Sequence, residues 1–205
     1  MNRLMHPLVA LVLAAPAAFA LAGDTDTFNN PTAGIALSKP AGWHTVSAAQ
    51  NLENIKAMKL GDAEFHAMMK QYASAPLFAI SKYQEPFDDV NPSFKINLKP
   101  YGQLKGMPAT ELIKLILPQF QKTFKDFVLV QAPVEVQVAG IPSAYTRLDY
   151  TMELPDGRSF PTSSELWIVP RGDYFFMIGA GTRQDEKTGT RAEIRGILDT
   201  IKITQ

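Results

Sequence analysis

Cysteine is absent from this 205-residue chain, which excludes disulfides, thiol nucleophiles, thiolate metal centres and iron–sulfur clusters. Histidine is scarce, with three residues, so imidazole chemistry has few places to reside. A surplus of either charge sign is also missing, with 20 Lys and Arg against 20 Asp and Glu. Without a basic stripe, nucleic acid and anionic lipid are poor partners. No period of 20 to 50 residues recurs, which excludes a solenoid or propeller. Past the N-terminus there is no long apolar run, so no further stretch reads as a membrane span.

The N-terminus itself reads MNRLMHPLVALVLAAPAAFALAG. Arg3 is a lone basic residue ahead of an apolar core from Leu8. Ala18 and Ala20, then Ala20 and Ala22, place small residues at the spacing of a cleavage site. This is the pattern of a secretory signal, cut after Ala20 or Ala22. Pro7 and Pro16 interrupt a core already shorter than the roughly 20 residues a spanning helix needs. The expected organisation is a leader over residues 1–22 and a single domain over 23–205, exported to the periplasm or beyond. Removing the leader takes away Arg3 and no acid, leaving 19 basic against 20 acidic residues, a net charge of −1.

Beyond the leader the chain alternates between strand and helix periods. GDTDTFNN, residues 23–30, reads as a loose polar lead-in with Phe28 its only apolar handle. Gly34 to Lys39 reads as a strand, closed by Pro40, a turn at Ala41-Gly42 and the anchor Trp43. Ser47 is an N-cap candidate for a helical region reaching Tyr72, interrupted at Gly61-Asp62. Two strands come next, PLFAISKY and SFKINLKPY, joined by the acidic loop 84–92. Leu112, Ile113, Ile116, Phe120 and Phe124 line one side of a helix that Pro118 is expected to kink or split. A meander then runs through a short strand at Val134–Val138, a long one through Leu154, a hairpin at Pro155-Asp156-Gly157, and a strand from Arg158 to Val169. YFFMIGAG is apolar on both faces and reads as a central strand. A last helix carries Ile194, Ile197 and Leu198 into a terminal strand. The expected class is α+β, with an antiparallel sheet sandwiched between helices.

FNNPTAGIALSKPAGW, VQVAGIPSAYTRLDY, DYFFMIGAG and EIRGILDTIKI together resemble the PsbP-like domain family, over most of residues 23–205. That resemblance implies the antiparallel sheet with flanking helices. It also implies a non-catalytic habit of binding and assembly, as in the extrinsic photosystem proteins, Ran-binding nuclear transport factors and DcrB-like envelope proteins that share the fold.

Chemistry-bearing signatures are sparse. His44 follows Trp43, so if Trp43 points inward an extended chain points His44 outward. His66 lies four residues after Asp62 and would share its helix face, but two ligands are too few for a closed metal site. GAGTRQ, residues 179–184, lacks the glycine spacing and Gly-Lys-Ser/Thr ending of a phosphate loop. Pro170-Arg171-Gly172-Asp173 needs no more than a β-turn to explain it. Glu165 lies close to Trp167, and Asp149 and Glu153 share the strand face opposite the apolar set, the ordinary pattern of a charged outer sheet face. The sequence therefore assigns no catalytic position, no cofactor and no metal. The expected function is that of an exported binding or accessory protein whose partner is an envelope protein or a small ligand. The rival expectation is a hydrolase or metal-assisted enzyme using His44 or His66.

Overall fold

The structure, a computed structural model, describes residues 26–50, 53, 76–154 and 156–204. Ten strands form two antiparallel sheets. The smaller sheet contains β1 (Asp26–Asn30), β2 (Ile35–Lys39) and β10 (Lys202–Ile203), in the order β1-β2-β10. The larger contains β3 (His44–Thr45), β4 (Phe78–Ser81), β5 (Ser93–Pro100), β6 (Lys125–Val138), β7 (Ile141–Glu153), β8 (Ser159–Arg171) and β9 (Tyr174–Arg183). Its order is β3-β4-β5-β9-β8-β7-β6. Helices α1 (Ala109–Thr123) and α2 (Arg191–Leu198) complete the main described elements.

β9 occupies the middle of the seven strands, as its apolar sequence requires. Side chains alternate along a strand, so each strand divides its residues between two cores. On one face Leu112 and Ile113 of α1 pack with Ala144, Leu166 and Ile168. On the other, Trp167, Ile178, Phe94 and Ile96 pack with Ile194, Ile197 and Leu198 of α2 and with Ile35 and Leu37 of the small sheet. The α+β class therefore stands. Among the described residues α1 covers one face, and α2 shares the other with a second sheet. That sheet exists because β10 closes on β2, with Ile203 opposite Ile35.

Several local expectations change for identifiable reasons. Residues 26–30 of the polar lead-in form strand β1, whose partner β2 supplies the apolar content, and Phe28 faces Leu37. Pro118 does not split α1. It and Lys114, whose carbonyl loses its helical donor, are exposed, so water can satisfy that oxygen. The short strand expected at Val134–Val138 is the final part of the 14-residue β6. Register shifts between Lys125 and Val134, with Asp126 at φ 54°, break the two-residue period that would reveal its first half. Pro133 is tolerated because β6 is an edge strand, where a missing N–H costs no ladder bond.

Other local signals hold. Trp43 is buried and His44 exposed. Ser47 Oγ accepts from Gln50 N at 3.2 Å while Ser47 N donates to Gln50 Oε1 at 2.9 Å, a reciprocal cap on helical residues 48–50. Thr190 and Glu193 form the same device at the start of α2. The second helical segment expected before Tyr72 lies outside the described residues.

Gly34 lies in the turn between β1 and β2, where the small sheet comes against Arg171 at the end of β8. Its φ is +66°, and a Cβ there would collide with the Arg171 guanidinium and lie 2.9 Å from the Thr204 carbonyl. Gly34→Ala is expected to lower stability by at least about 1 kcal/mol, through left-handed backbone strain and that collision. Urea denaturation of the variant against the parent measures it.

Candidate functional site

The face of the large sheet opposite α1 is apolar only over part of its length. The row Tyr145, Trp167, Ile178 and Ile96 runs straight across β7, β8, β9 and β5. One step along the strands, Arg147 pairs with Glu165, which pairs with Ala180. A further step pairs Asp149 with Ser163, and Ser163 with Thr182. Hydrophobic packing thus gives way, over two rows, to a cation, two carboxylates and two hydroxyls.

These polar groups are not solvated decoration. Glu165 is 4% exposed, Ser163 1% and Thr182 2%, while Arg147 and Asp149 are half-buried. The Tyr145 phenol donates to Glu165 Oε2 at 2.5 Å. Arg195, on α2, brings Nη2 to 4.0 Å from the same oxygen and lays its guanidinium 5.7 Å from the Tyr145 ring centre. Burial, and then the hydrogen bond to Glu165, pushes the Tyr145 phenol above the ordinary tyrosine range. Four buried atoms here have no hydrogen-bond partner among the described residues: Arg147 Nε, Asp149 Oδ1, Ser163 Oγ and Glu165 Oε1. An unsatisfied buried polar group costs about 1–3 kcal/mol, so four on neighbouring positions make this the most polar part of the covered face.

Glu165 overturns the sequence expectation of a charged outer face. The alternation of Arg147, Asp149 and Thr151 with Leu148 and Tyr150 correctly separates two faces. It does not reveal that the polar face is covered near β8, because the cover comes from elements distant in sequence, such as α2. Arg147, Ser163 and Tyr145 escape sequence reasoning for the same reason. Their one available signal is this polar set continuing the line of Trp167 at two-residue spacing. Glu153, expected alongside Asp149, instead accepts from Lys125 at 2.5 Å, toward the outer end of β7.

His44 lies apart from this cluster. It sits on β3, opposite Ser81, at the other edge of the large sheet. His66 and Asp62 lie outside the described residues. Among the described residues no three His, Asp or Glu side chains group as metal ligands, and no helix is long and apolar enough to cross a membrane.

No family model matches the chain, and no curated protein does. Solved structures do. LpqN of Mycobacterium tuberculosis, described as involved in cell envelope biogenesis, matches at a TM-score of 0.51 and 12% identity, over 89% of this chain and 91% of its own. The cyanobacterial PsbP of Synechocystis matches at 0.49 and 13%, over 94% and 99%. The Ran-binding protein Mog1p of Saccharomyces cerevisiae matches at 0.49 and 9%, over 88% and 95%. At such identities the likeness to LpqN is one of fold alone.

Tyr145→Phe removes the donor to Glu165 Oε2 and is expected to cost about 1–3 kcal/mol at neutral pH. A phenol held above its unfolded value of about 10 contributes stability that is full below that pH and lost as pH rises through the folded value. Urea midpoints measured from neutral to strongly alkaline pH are therefore expected to converge between parent and variant at the alkaline end.

Proposed function

We propose that the protein is an exported, non-catalytic binding or accessory protein of the bacterial envelope. In this reading residues 1–22 are a cleaved leader, and residues 23–205 fold as one domain of PsbP-like type. The sheet lies between helical covers, with the small sheet sharing one side. The mature protein has no membrane span and acts in the periplasm, through an envelope protein or a small ligand.

The observation that carries the reading is the polar frame on the large sheet. It gathers a cation, two carboxylates and a hydroxyl on a covered face, each with a buried atom that has no partner among the described residues. A nucleophilic serine is activated by an adjacent base, and Ser163 Oγ has no such partner among the described residues. The arrangement thus favours holding a molecule over cleaving one. Two further facts support export and an envelope role: the leader pattern, and a fold shared with LpqN, itself described as involved in cell envelope biogenesis.

Two measurements test this. Mass spectrometry of the protein recovered from the periplasmic fraction is expected to find an N-terminus at Leu21 or Gly23. Retention of Met1 in a membrane fraction would refute export. A tagged form purified from the same fraction is expected to carry a component, protein or small molecule, that is lost when Arg147 and Asp149 are both changed to Ala. Copurification indifferent to that double change would remove the frame from the function.

A further inference from the structure

Three elements far apart in sequence depend on one another for their order. A two-stranded hairpin such as β1 with β2 is marginally stable at best in water. Helix α2 has 8 residues, fewer than the roughly 12–15 that an isolated helix needs. Strand β10 has 2 residues. Yet Ile35 and Leu37 of β2, Ile194, Ile197 and Leu198 of α2, and Ile201 between α2 and β10 are all buried in one core.

Specific bonds tie these elements together. Ser38 N donates to Thr200 Oγ1 at 3.0 Å, across 162 positions of sequence. Thr204 N donates to the Gly34 carbonyl at 2.9 Å. Lys202 pairs with Ala36, and Ile203 with Ile35. Among the described residues no ladder joins β1, β2 and β10 to the large sheet. The polar links across that gap come from side chains: Lys82 Nζ to Glu193 Oε1 at 2.7 Å, and Arg171 Nη2 to the Thr204 carbonyl at 3.3 Å. The chain is anchored just before α2. The Thr188 carbonyl accepts from the Tyr83 hydroxyl at 2.8 Å, and Thr188 Oγ1 donates to the Val90 carbonyl at 2.7 Å. Strands β6 to β9, in contrast, pair each with the next in sequence. Such local pairings close short loops, whereas a contact across 162 positions must close a long one before it is rewarded.

We propose that residues 190–204, comprising α2 and β10, form a strap that closes over the β1–β2 hairpin as the last step of folding. Hairpin and strap then open and close as one unit while β7, β8 and β9 stay paired. Until the strap closes, the row of Ile96, Ile178 and Trp167 lacks the cover that α2 and β2 supply. In a chain exported as read above, the hairpin crosses the membrane first and stays uncommitted until residues 190–204 follow.

Native-state amide exchange of the purified protein in low urea, read by nuclear magnetic resonance, tests this. The amides of Ser38, Asp199 and Thr204 are bonded within the unit. They are expected to exchange through one common opening, and the amides of β8 only through a larger one. Two mild core variants separate the units. Ile201→Val weakens strap closure and is expected to speed exchange roughly three- to tenfold in both sets, since the larger opening includes the smaller. Ile168→Val lies in the core under α1 and is expected to speed β8 by a similar factor while leaving Ser38, Asp199 and Thr204 unchanged. In pulse-labelled refolding, β8 amides are expected to gain protection before those three. A single opening for all amides in the parent overturns the proposal, as does acceleration of all three strap amides by Ile168→Val. Protection of Ser38 together with or ahead of β8 during refolding also overturns it. Exchange bears on the strap alone, and the N-terminus recovered from the periplasmic fraction bears on export alone, so either reading can fail without the other.

Discussion

The two-residue repeat of a buried antiparallel sheet is the constraint on which the rest of the molecule depends. β9 is apolar on both sides and sits at the centre of seven strands. Every strand beside it must then send alternate residues to two separate interiors. Leu166 and Ile168 go to the core under α1, and Trp167 and Val169 go to the core shared by α2 and the small sheet. Each of these residues is worth about 1.5–3 kcal/mol when fully buried. A slip of one residue would exchange the two sets and forfeit most of that. Register is therefore fixed by burial, and with it the position of every polar side chain on the same strands.

That fixed register is what brings Arg147, Asp149, Ser163 and Glu165 together. They come from two strands separated by a hairpin, and no local motif links them. In an apolar continuation of the Trp167 row, each would be replaced by an aliphatic residue at less cost. Polar residues at such positions are a departure from the rule that core positions be apolar, and departures of that kind concentrate where a protein meets something else. The Tyr145 phenol and the Arg195 guanidinium support only one oxygen of Glu165. Among the described residues the network is satisfied only in part from within.

Much of the architecture is legible in the sequence, because strong local signals and tertiary burial agree. The central place of YFFMIGAG, the inward Trp43, the cap at Ser47 and the stripe of Ile194, Ile197 and Leu198 all follow from pattern alone. Elements are hidden where the two disagree. DTFNN has no alternation of its own and becomes β1 only because β2 offers it a ladder. β6 conceals its first half behind register shifts and Pro133. The candidate site is half visible: Asp149 and Glu165 stand out as carboxylates on a strand face. Whether that face meets water depends on how the chain's last third folds back over it, and periodicity carries no information about that.

β6 is long, lies at the rim of the sheet, and leaves Val128, Leu129, Val130 and Val134 uncovered. A flat strand of that composition would serve as a template onto which another chain could add, and polymers grow by that route. The shifts that bend it, and the imino residue that interrupts its donors, deny a newcomer a continuous row of groups to bind. Irregularity at this rim thus acts as a safeguard against edge-to-edge addition at a border that displays aliphatic side chains.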